Sequence, residues 1–243
     1  MNTALKRIFG KKVVPPRQST GSLAVPPPSD GDSEVELGMD QVAEFAYAMA
    51  KHRGYPDDTA SMIARRVVFL ERRDFPGLVC LYREVTLFSD EPLLSRFNVQ
   101  RPDGRAGGFC PFYAGLELEP EFERFTVLPP DQQGWALAPS NSFLLVPKLA
   151  EWLRPTGRRA IMWWAKDKLI VGYIVVEGFR LQIFFGRGAD TMETLDKIQH
   201  ADHIGFSGCP EDFHPEPNPR SGFLEKKTLR RRDIGLVESY LRT

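Results

Sequence analysis

The stretch "RAIMWWAKDKLIVGYIVVEGFRLQIFFG", residues 159–186, leaves this chain few choices of fold. Three runs rich in β-branched and aromatic residues are separated by "AKDK" and by a Glu177-Gly178 turn. In the last run Phe179, Leu181, Ile183 and Phe185 alternate with Arg180 and Gln182, the two-residue period of a strand with one apolar face. Short connections pair consecutive strands antiparallel, so the stretch predicts a three-stranded meander. Trp163 and Trp164 are adjacent and must face opposite sides of that sheet. One belongs to the core. The other is expected to pack under a helix rather than to floor a ligand pocket.

A sheet with an apolar face needs cover, and helices before and after it supply the pattern. In "DQVAEFAYAMAKHRG", Val42, Phe45, Ala46, Met49 and Ala50 make one helical face, with Asp40 as the expected N-cap and Gly54 as the stop. "YPDDTASMIARRVVFLERRDFPG" repeats it. Asp57 or Asp58 is the expected cap, Met62, Ile63, Val67 and Leu70 form the stripe, and Asp74-Phe75-Pro76 ends it. A third helix begins with Pro76 in its first turn, with Cys80 near the apolar stripe as a small core residue. "FLLVPKLAEWLRPTG" reads as a short apolar helix begun or kinked at Pro147. Asp190 and Glu193 form a capping-box signature for a helix that Met192, Leu195 and Ile198 continue and Gly205 stops. At the end of the chain, the basic run Lys226, Lys227, Arg230, Arg231 and Arg232 is expected to be solvated. It leads into a helix with Ile234, Val237, Tyr240 and Leu241 on one face.

The expected fold class is therefore α+β: an N-terminal three-helix segment packed with an antiparallel β-meander and covering helices. One domain is expected over residues 37–243, with 37–98 helical and 99–243 holding the sheet. Residues 1–36 read as a disordered arm. The first seventeen carry five basic residues and no acid, and "STGSLAVPPPSDGDSE" after them lacks apolar surface to offset its ordering entropy.

Lys+Arg and Asp+Glu number 32 each, so no overall basic excess points to nucleic acid. Three widely spaced cysteines and no secretory leader pattern point to a reducing compartment, hence a cytoplasmic address. No apolar run is long enough for a membrane span.

Two segments carry candidate chemistry. "IQHADHIGFSGCPEDFH" holds three of the four histidines. On the predicted helix His200 and His203 share one side, and Cys209 and His214 follow in a loop. Imidazole and thiolate suit zinc, and four such donors would close a tetrahedron, with Asp202, Glu211 and Asp212 available to orient the imidazoles. The spacing matches no standard zinc pattern, and the prolines at 210, 215, 217 and 219 favour an extended chain, so a polar turn is the expected outcome. In "DGRAGGFCPF", amides around Gly107 and Gly108 with Arg105 would suit an anion, and Cys110 is a candidate nucleophile. The glycines match no nucleotide-binding pattern, and a plain turn is expected.

Three stretches, "AYAMAKHRGYPDDTASMIARRVVFLERRDFPG", "CPFYAGLELEP" and "APSNSFLLVPKLAEWL", together resemble a bacterial family of unknown function seen mainly in alphaproteobacteria. They cover about a third of the chain. The resemblance implies a shared fold and assigns no catalytic residue. The same helical start is similar to the N-terminal helices of the lactate/malate dehydrogenase family that lacks the usual dinucleotide fold. That family's motif continues to a Ser-His-Gly, where this chain reads "RRDFPG", so no hydride-transfer site is implied.

The functional expectation is a cytoplasmic accessory subunit that binds another protein and has no catalysis or cofactor of its own. The alternatives are an enzyme with a zinc or thiol site in residues 200–214, and a module that binds anions or nucleic acid through its basic termini.

Overall fold

The computed structural model describes residues 33–87, 110–112, 134–138, 141–167, 169–177, 180–184, 197–198, 200–211, 213 and 225–242, with backbone alone at 87, 134–137 and 180–184. Among them are five α-helices and two antiparallel sheets, a mixed α+β architecture.

The three N-terminal helices are α1 (Met39–His52), α2 (Asp57–Glu71) and α3 (Gly77–Leu87). Of the expected apolar stripes, Val42, Ala46, Met49 and Ala50 on α1 and Ile63, Val67 and Leu70 on α2 are fully buried, and Phe45 and Met62 are half-buried against the core. The caps differ from expectation. Gly38, not Asp40, is the N-cap of α1, and its N–H is taken by Gln41 Oε1 at 2.9 Å. Asp40 lies in the first turn, where a negative charge favours the helix dipole. Asp57 and Asp58 are likewise inside α2, with Pro56 as N-cap. The Asp57 carboxylate is occupied instead by Lys51 Nζ at 2.6 Å and the Tyr47 hydroxyl at 3.1 Å. Gly54 does follow the end of α1, at φ 98°, a region open to glycine at no steric cost.

A 3₁₀ turn, Ser142–Leu145, leads into α4 (Val146–Leu153), which Pro147 opens from its first turn. Next comes the meander: β3 (Arg159–Lys166), β4 (Leu169–Glu177) and β5 (Arg180–Phe184), antiparallel throughout. Ile183 lies opposite Ile174 in the backbone register and Gln182 opposite Val175. Trp163 and Trp164 do face opposite sides. Trp164 joins the helix-facing core, and Trp163 packs with Ile161, Ala165 and Val175 on the far side, 1% exposed.

The sheet is wider than the meander. Its order is β2-β6-β3-β4-β5, with β2 at Gly134–Leu137 and β6 at His203–Gly208. The predicted helix running to Gly205 is thus overturned at its end: helical residues reach 198, a turn follows, and Gly205 is mid-strand. Ile204 and Phe206 alternate with Gly205 and Ser207, the strand period, and both enter the helix-facing core. The capping-box residues Asp190 and Glu193 lie outside the described residues.

A second, two-stranded sheet pairs β1 (Glu34–Gly38) with β7 (Lys226–Arg230), and α5 (Arg231–Arg242) follows. The arm boundary drawn at residue 36 falls inside β1; composition alone does not show a strand whose partner lies near the other end of the chain. The basic run likewise begins as a strand, with Arg231 and Arg232 opening α5. Together β1, β7 and α5 belong with the N-terminal helices, not with the larger sheet, because α5 packs on α1 and α3. One apolar core nevertheless runs from Leu37 through α1–α4, Met162, Trp164, Ile174 and Phe206 to Val237.

Two polar residues tie the turn before α4 to its surroundings, one to the sheet and one to α3. Trp164 Nε1 donates to Ser142 Oγ at 2.8 Å, and Asn141 Nδ2 donates to Glu84 Oε2 at 2.9 Å, both bonds buried. Trp164→Phe keeps most of the ring and strands the Ser142 hydroxyl. A loss of about 1–3 kcal/mol is expected in urea denaturation, the cost of an unmade buried hydrogen bond. A change near zero would show that water replaces the indole.

Candidate functional site

The three candidate zinc ligands among the described residues, His200, His203 and Cys209, do not come together. His200 lies in the turn before β6 and His203 is the strand's first residue, so they share no helical face. Cys209 follows the strand's far end, six residues from His203, roughly 20 Å at ~3.3 Å per residue. Ligands of one zinc must each lie within about 2.3 Å of it, which forbids sharing across that distance. His200 and His203 are exposed, and Cys209 packs beside Trp163 on the far face of the sheet. His214 and Asp212 lie outside the described residues. No group of three or more metal-binding side chains is found among the described residues.

Arg105, Gly107 and Gly108 also lie outside the described residues. Cys110 is placed: its Sγ is 3.1 Å from the Tyr55 hydroxyl, at the turn between α1 and α2, and Tyr55 stacks edge-on against Phe112. A phenol is a weak base at neutral pH, so this contact does not itself activate a thiol.

The feature the fold does build is a shallow apolar groove, partly open to solvent. Leu37 of β1 and Leu229 of β7 line it, with Phe45 of α1, Leu78, Val79 and Tyr82 of α3, and Ile234, Leu236 and Val237 of α5. One charged residue, Asp233, completes the lining, with Arg232 Nε 3.6 Å from its carboxylate. Leu236, 47% exposed, forms the groove's outer wall. Beyond it Tyr240 stacks edge-on with His52 and with Tyr82, joining α5 to α1 and α3.

Beside the groove lies a buried ionic cluster. Glu71, at the end of α2, is fully buried. Its Oε1 accepts the Leu78 N–H of α3 at 2.8 Å, and its Oε2 faces Lys227 Nζ of β7 at 3.4 Å. Lys227 lies nearer Asp74, at 2.7 Å, and Asp74 sits in the left-handed region at φ 63° in the α2–α3 turn. Burial pushes the Glu71 carboxyl up to about 7, with Lys227 and the Leu78 amide opposing that rise. Periodicity marked Leu70 and Val67 as core but gave no signal that Glu71 beside them is buried. Lys227 was hidden by its basic neighbours, though the alternation "KKTLR" carries a strand period, with Lys227 and Leu229 inward.

Comparison with protein-family models, curated proteins and solved structures finds no match. No helix among the described residues is long and apolar enough to cross a membrane.

Proposed function

We propose that this protein is an accessory subunit that binds another protein, and that the groove between α1, α3, β7 and α5 is its docking surface. The carrying observation is the lining: nine apolar residues against one carboxylate. Small-molecule sites set a few converging polar groups into an apolar wall. This groove has a single such group, with an arginine of the same helix 3.6 Å away. An open apolar trough walled by helices suits the apolar stripe of a partner helix, anchored at i, i+3 and i+4.

Leu236→Asp tests it without touching the core. Tagged wild-type and variant chains are used to capture partners from cell extract, and the captured protein is then purified and titrated by calorimetry. The variant is expected to fold with unchanged melting temperature and to bind at least about 10-fold more weakly, the loss of one interface anchor. Equal affinity of the two chains for that purified partner would remove the groove from the interface.

A further inference from the structure

In the ionic cluster beside the groove one lysine stands between two carboxylates. Lys227 of β7 serves two carboxylates, so the three groups together carry one net negative charge when all are ionised. The groups acting on Glu71 are Lys227 from β7, Asp74 from the α2–α3 turn and the Leu78 amide from α3. Lys227 stands 0.7 Å closer to Asp74 than to Glu71, at 2.7 against 3.4 Å. Asp74 keeps a side-chain exposure of 27%, whereas Glu71 has none. A proton entering the cluster therefore goes to Glu71, the drier carboxylate with the weaker hold on the lysine.

Both ends of the cluster reach the groove. Leu78, whose N–H is held by Glu71, lines it. So does Leu229, two residues along β7 from Lys227 and on the same inward face. We infer that the Lys227–Glu71–Asp74 cluster is a proton-operated clasp on the apolar groove. With Glu71 neutral, β7 and the first turn of α3 close together. With Glu71 charged, they part enough to hydrate the carboxylate. Glu71 is held neutral up to about pH 7, so the clasp is tight on the acid side of neutrality and slackens on the alkaline side. Its use in regulation rests on the reading of the groove as a docking surface.

Methyl NMR of the full chain from pH 5.5 to 8.5 tests the clasp with no partner present. The Leu78 and Leu229 methyl signals are expected to shift together through one transition near pH 7 in the wild type, and to stay flat in Glu71→Gln. His52, in ring contact with Tyr240 beside the groove, is common to both proteins, so the difference isolates Glu71. Lys227→Met removes the opposing cation and is expected to move the midpoint up by about one pH unit or more. A flat wild type, the same transition in Glu71→Gln, or an unmoved midpoint in Lys227→Met would each overturn the clasp. Those outcomes leave the docking surface standing. An unchanged affinity in Leu236→Asp leaves the titration standing.

Discussion

Gly205→Ala is expected to destabilise the protein by about 3 kcal/mol or more, although it adds a single methyl group. Gly205 lies opposite Trp163 in the β3–β6 register, and the indole occupies the space a side chain at 205 would take. A Cβ built there would stand 1.8 Å from Trp163 Cζ2 and 2.1 Å from Cε2. The ring is 1% exposed, so it has no open space to enter, and the strands on either side hold the backbone. Overpacking of a filled core costs roughly 1–3 kcal/mol even with milder overlap. The measurement is a double-mutant cycle in urea. Trp163→Leu alone loses packing, but it vacates the space a methyl at 205 needs. The two substitutions together are expected to cost less than their sum. Strict additivity would show that the glycine is required for its backbone and not for the ring above it.

Glu71→Gln is expected to stabilise the protein at pH 8 by up to about 3 kcal/mol, and to change little near pH 5. The folded protein holds the Glu71 proton up to about pH 7, against an ordinary glutamate value of 4.5. Between those values the folded state binds a proton that the unfolded chain has released. Stability from this carboxyl is thus full below about pH 4.5 and is lost as pH rises through 7. A shift of that size corresponds to about 3 kcal/mol at ~1.4 kcal/mol per pH unit. The amide keeps an acceptor for the Leu78 N–H and carries no charge to desolvate, so the variant escapes the loss. Lys227 retains Asp74 as its partner. Denaturation at pH 5, 6, 7 and 8 should show the two proteins diverging steadily. A variant weaker than wild type at pH 8 would mean that the attraction to Lys227 exceeds the cost of burying the charge.

The helices and the hairpins of the meander were legible because their signals are local. A stripe at three- and four-residue spacing defines α1 and α2, and Gly54 and Pro76 mark boundaries through their own torsions. The two tryptophans follow from strand geometry alone. Reading failed where one segment satisfied two patterns. Ile198 fits a helical stripe from Met192, and Ile204 and Phe206 fit a strand. The helix reading carried too far, so His200 and His203 were placed on one face that the strand pulls apart.

The amino-acid sequence by itself determined the α+β class, the apolar faces of α1, α2 and α5, the short apolar helix α4, and the pairing of β4 with β3 and β5. Only the tertiary structure decided what the rest of the chain does. Lys226 pairs with Glu36 across 190 residues, and β1 becomes a strand because β7 lies beside it. β6 is a strand because β3 offers an open edge on that side. Lys227 and Glu71 each look like one charge among many along the chain, and they are buried because α2, α3 and β7 meet at that point. Helical periodicity and turn torsions are properties of a few neighbouring residues. Strand partnership, buried charge and the walls of a groove are set by residues that folding brings together, and no short stretch of sequence contains both sides of such a contact.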